Sequence, residues 1–81
     1  MDWTKTHAEQ FGRTVRGLRR REGISQEALA HRVGISKNHM QLLEAGRGTS
    51  GSDVVASNPR MTTLYGIAGA LNVPPADLLP R

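Results

Sequence analysis

Gly23-Ile24-Ser25-Gln26-Glu27-Ala28-Leu29-Ala30-His31-Arg32-Val33-Gly34-Ile35-Ser36-Lys37-Asn38-His39-Met40-Gln41-Leu42-Leu43-Glu44-Ala45-Gly46 holds two short helical patterns with a Gly34-Ile35-Ser36 break between them. Leu29, Ala30 and Val33 form one apolar face, and Met40 and Leu43 form the next. Gly34 permits a left-handed turn at little steric cost. Ile35 plugs the corner, and Ser36 can accept from the free amides that open the second helix. Gly46 suits the left-handed position after it.

Outward from this stretch, residues 3–22 read as one helix, with Trp3, His7, Phe11, Val15 and Leu18 as its apolar stripe. Thr6 and Glu9 form a capping-box pair, so the ordered helix can start there. Gly12 and Gly17 inside it each cost about 1 kcal/mol relative to Ala, and either can serve a close helix contact. Gly23 stops the helix, with Arg20 and Arg21 in its last turn. Residues 47–58 have no period and read as a loop. A fourth helix runs from about Pro59 or Thr62 to Leu71, with Asn58 as its cap and Asn72 at its end. Its expected buried stripe is Met61, Leu64, Ala68 and Leu71. Pro74-Pro75-Ala76-Asp77-Leu78-Leu79 reads as a short last helix. The expected fold is therefore all-α: five helices in a single domain over residues 1–81, with an extended loop between helices 3 and 4.

The chain has 81 residues, no cysteine and a formal charge of +4. Without cysteine there is no disulfide scaffold, cysteine-ligated metal site or thiol nucleophile. No metal-ligand cluster or catalytic constellation stands out, so neither enzyme chemistry nor a cofactor is expected, and no small-molecule ligand is evident. No apolar run is long enough to span a membrane and no signal-peptide pattern opens the chain, so a cytoplasmic location is expected. The charge is unevenly spread. Lys5, Arg13, Arg16, Arg19, Arg20, Arg21, Arg32, Lys37 and Arg47 all lie within residues 1–47, against five acids, while the remainder is neutral. A basic half beside a neutral half points to one polyanion-facing surface. Charge alone would fit a solvated basic face equally well. Joined to the two-helix corner over residues 25–45, it fits a helix-turn-helix whose second helix enters the DNA major groove.

The chain resembles the lambda-repressor-like, Cro/C1-type helix-turn-helix family, also called the XRE family. The residues that carry the resemblance are Leu18-Arg19, Ile24-Ser25-Gln26-Glu27-Ala28-Leu29-Ala30, Val33-Gly34-Ile35-Ser36 and Leu43-Glu44-Ala45-Gly46. Pro59, Leu64, Ile67-Ala68-Gly69-Ala70-Leu71, Val73 and Leu78-Leu79 extend it over roughly residues 11–79. The departure lies between Gly46 and Pro59, a stretch about twice the common connection length of small domains.

The resemblance implies roles for particular residues. Ser25 and Gln26, at the start of helix 2, would be DNA-binding, with Gln26 bonding a phosphate and bracing the recognition helix. Lys37, Asn38 and Gln41, with Leu42 beside them, would face base edges. Lys suits guanine, Asn adenine, and Leu a thymine methyl. Ser36 and Arg47 would grip phosphates. Arg60 follows Pro59 where family members approach the minor groove, and His39 would touch phosphate or solvent. Arg19 and Glu44 would join helix 1 to helix 3, since a buried charge needs a partner. The implied partner is double-stranded DNA, bound at a palindromic operator by a homodimer that meets through Leu71 to Leu79. The implied function is a transcriptional regulator that acts as a repressor. An antitoxin-like or adaptor module, for which the basic face would be incidental, is the alternative.

Overall fold

The computed structural model describes residues 2–48 and 58–80. The chain forms α1 (Lys5–Arg21), α2 (Gln26–Val33), α3 (Lys37–Ala45) and α4 (Met61–Leu71), followed by a 3₁₀ turn (Pro75–Leu78). All regular structure among the described residues is helical, and no described helix is long and apolar enough to cross a membrane. Residues 49–57, including Val54-Val55 and most of the expected loop, lie outside the described residues.

The helix ends follow one local rule. Gly23, Gly34, Gly46 and Asn72 adopt φ of 71°, 86°, 74° and 58°. After each of them the next amide reaches back five residues: Ile24 to Arg19, Ile35 to Ala30, Arg47 to Leu42 and Val73 to Ala68. This satisfies carbonyls that the helices leave open. Ile24, Ile35 and Val73 then pack against the core, so the chain turns inward after α1, α2 and α4.

The starts differ in detail from the sequence expectation. Helix α1 begins at Lys5, and its cap is Thr4 rather than Thr6. The Thr4 hydroxyl accepts from the His7 amide at 3.3 Å, and the Thr4 amide donates to His7 Nδ1 at 3.1 Å. His7 plays the part usually taken by Glu or Gln in a capping box. It is held by stacking on Trp3 at 6.0 Å, and Trp3 in turn meets Phe11 edge-on at 6.1 Å. The aromatic stripe thus fixes the start of the helix, and the Thr6–Glu9 box is absent. Helix α4 begins at Met61 with Arg60 as its N-cap, and Asn58 does not cap it. The first helical bond closes from the Leu64 amide onto the Arg60 carbonyl at 2.9 Å, beyond Pro59. Its buried face is Thr63, Leu64, Ile67, Ala68 and Leu71. Met61, expected in that stripe, is 67% exposed, whereas Thr63 and Leu64 of the same turn are buried.

The expected fifth helix is a four-residue 3₁₀ turn. Pro74 and Pro75 carry no amide hydrogen, and the chain is extended again at Leu79. The turn nevertheless drives Leu78 into the core. Phe11, Val15, Leu29, Met40, Leu43, Ile67, Leu71 and Leu78 are the large fully buried side chains, each stabilising by roughly 1.5–3 kcal/mol of apolar transfer. Within the expected self-association segment, Leu71 and Leu78 are therefore consumed by the chain's own core, while Leu79 stays 45% exposed. Around that core α3 packs on α1 and α2, and α4 closes against α2 and the 3₁₀ turn.

Candidate nucleic-acid interface

The corner between α2 and α3 carries the site. Ser25 and Ser36 cap the two helices, accepting from the Ala28 and His39 amides at 3.0 Å each. Their oxygens are thus engaged locally, and each hydroxyl keeps a hydrogen to donate. On α3, Lys37, Asn38, His39 and Gln41 are exposed and Leu42 is half-buried, whereas Met40, Leu43 and Glu44 point inward. One helix thus divides cleanly into a polar outer face and an anchored inner face, as its 3.6-residue period requires.

Glu44 fixes the orientation of α3. Its buried carboxylate accepts from Arg19 Nε at 2.7 Å and Arg19 Nη2 at 3.0 Å. Gln26 Nε2 donates to it at 3.0 Å, and Arg16 Nε stands 3.5 Å away. Arg19 Nη1 also donates to the Ile24 carbonyl at 2.8 Å. One carboxylate therefore ties α1, α2 and α3 together. Burial by itself pushes the Glu44 carboxyl up, but hydrogen bonds from Arg19 and Gln26, with the charges of Arg19 and Arg16, outweigh it and hold the group below its ordinary range. The hydrogen bond to Glu44 raises Arg19 further above an already high value, against the opposing effect of burial.

Two polar recesses border α3. In the first, Ser25, Gln26 and Lys37 are brought together with Arg16, Arg19, Arg20 and Glu27. In the second, His39 and Arg60 share a groove with Gly34, Ile35, Asn58, Thr62 and Thr63. Arg47 is half-buried just past Gly46 and lines neither recess. The sequence reading missed Arg16 and Arg20 as members of the first group. They are four residues apart on α1, and that spacing on either side of the Glu44-binding Arg19 was the available signal.

Comparison with known proteins agrees with this geometry. A family model described as "Helix-turn-helix domain" matches residues 10–79. An uncharacterised HTH-type transcriptional regulator, y4dJ of Sinorhizobium fredii, is 35% identical over 79 residues, 98% of this chain and 86% of that protein. Among solved structures, the restriction-modification controller protein C.AhdI from Aeromonas hydrophila superposes with a TM-score of 0.73 at 28% identity, covering 89% of this chain and 96% of that one. The P22 c2 repressor, solved in complex with a synthetic operator, gives a TM-score of 0.69 at 28% identity, with 85% and 91% covered. Hydroxypropylphosphonic acid epoxidase from S. wedmorenis gives 0.78 at 25% identity, but this chain spans 95% of its own length and only 36% of that enzyme.

Proposed function

Because the chain belongs to the helix-turn-helix domain family of transcriptional regulators, we propose that it is a sequence-specific DNA-binding repressor acting as a dimer on a palindromic operator. The observation that carries this reading is the outer face of α3. Lys37, Asn38 and Gln41 are presented together to solvent, on a helix whose inner face is locked by Glu44. Such a helix enters the major groove with its own geometry already set, so little ordering entropy opposes binding.

In this reading Lys37 donates to guanine O6 or N7, Asn38 and Gln41 pair with adenine, and Leu42 meets a thymine methyl. Gln26 donates to a backbone phosphate while Glu44 holds its amide in place. Ser25, Ser36, His39, Arg47 and Arg60 contribute further backbone contacts, which position the domain without reading sequence. Dimerisation uses the exposed part of the C-terminal segment. Leu79 lines an apolar recess with Trp3, Phe11, Pro59, Met61 and Leu64, and both Leu79 and Met61 are exposed there.

Selection from a pool of random duplexes tests this. The expected product is an inverted repeat with half-site centres about 34 Å apart, one helical turn. Recovery of unenriched sequences at moderate salt would remove the operator from the account.

A further inference from the structure

The recess between α1 and the start of α2 has a charge balance that the fold alone does not use. Arg16, Arg19, Arg20 and Lys37 line it, together with Ser25, Gln26 and Glu27. Glu44 satisfies Arg19 through two short bonds. Arg16 is only tethered to it. Its Nε lies 3.5 Å from Glu44 Oε1, beyond ordinary hydrogen-bond length. That oxygen already accepts from Arg19 and Gln26, and the Arg16 side chain is 42% exposed. Among the described residues, neither Arg20 nor Lys37 has a carboxylate partner within 4 Å. Glu27 is the opposing charge in the recess, and it sits in the first turn of α2, where the helix dipole favours it. Three guanidinium or ammonium groups thus converge with one carboxylate to answer them, beside the second amide hydrogen of Gln26.

We propose that this recess binds a DNA backbone phosphate, with Arg16 and Arg20 of α1 as ligands, so that the DNA contact extends from α3 onto the first helix. The inference rests on the DNA-binding reading above. Arg16 exchanges its long contact with Glu44 for a phosphate oxygen, and Arg19 stays behind to hold α3. Arg20 and Lys37 neutralise the same stretch of backbone from either side. A planar guanidinium suits this because it presents parallel donors to two phosphate oxygens. The contact is to backbone only, so it strengthens binding to every sequence alike.

The test measures affinity for an unselected 20-base-pair duplex against salt, for wild type, Arg16→Gln, Arg20→Gln and the double variant. Arg13→Gln is the control, since Arg13 is exposed on α1 but lines a different recess, with Gln10 and Asp77. Each lost phosphate contact should reduce the slope of log affinity against log salt by about 0.9, and the double variant should lose about 1.8. Arg13→Gln should retain the wild-type slope. The ratio of operator to unselected affinity should be unchanged in all of them. Thermal melts separate misfolding from lost contact for Arg16→Gln, and exposed Arg20 provides an independent arm. If wild type binds duplex and both variants keep its slope, the recess is not a phosphate site, although the protein still binds DNA. If wild type binds no duplex at low salt, the DNA-binding reading and this inference fall together.

Discussion

Gly12 of α1 lies directly against the backbone of α3: a methyl carbon placed on it would overlap the Glu44 carbonyl oxygen. The two helices therefore touch main chain to main chain at this point. That approach brings Arg19, two turns further along α1, level with the Glu44 carboxylate. The residue that anchors α3 electrostatically is also the one that helix α1 packs beneath.

Gly12→Ala should accordingly destabilise the fold by about 1–3 kcal/mol, because the obstructing atoms are backbone and cannot rotate away. Gly17→Ala should do the reverse. Nothing lies within 4 Å of its added carbon, and Ala in a helix interior is favoured over Gly by about 1 kcal/mol. Urea midpoints of the two variants check this, and the expected signs are opposite.

Glu44→Ala should cost about 3–5 kcal/mol, since it strands a buried guanidinium and releases Gln26. Glu27→Ala, at an exposed first turn, should cost about 1 kcal/mol or less. Comparable midpoints for these two variants would contradict the place given to the Arg19–Glu44 pair.

The same carboxylate sets an acid limit. Its folded value is held below the ordinary carboxyl range, so its stabilisation is fully present above the unfolded value of about 4.3 and is lost as pH falls through the lower folded value. Melting temperature should fall below about pH 4 in wild type more steeply than in Glu44→Gln. Parallel acid slopes for the two proteins would speak against it.

Leu79→Glu and Met61→Glu should reduce self-association while leaving the fold intact, because both side chains are exposed. Leu78→Glu should unfold the protein, because it places a charge in the core. Sedimentation together with circular dichroism separates these outcomes. A dimer that persists in both exposed-site variants would move the interface elsewhere.

What could be read from sequence was whatever local chemistry decides. Gly34, Ser36, Gly46 and Asn72 end or begin helices through their own side chains or backbone freedom, and each holds its expected position. The Arg19–Glu44 bond spans 25 residues and was legible only through family resemblance. The His7 cap was missed because an imidazole acceptor stands in for the usual carboxylate or amide, held by Trp3 stacking that no spacing rule describes. Met61 was misplaced because the buried face of the first turn is carried by Thr63 and Leu64 instead. Gly12 and Gly17 look alike in sequence, and only the crossing of α1 over α3 tells them apart. For Arg16 and Arg20 the spacing around Arg19 was visible in the sequence, but their convergence with Gln26 and Lys37 is tertiary.

The central claim is that α3 reads bases, and the ratio of operator to unselected-duplex affinity in Asn38→Ala and Gln41→Ala tests it most directly. Each lost pairing should lower that ratio by about 1–3 kcal/mol, roughly 5- to 150-fold, with non-specific binding and its salt slope unchanged. A ratio equal to that of wild type in both variants would contradict the account.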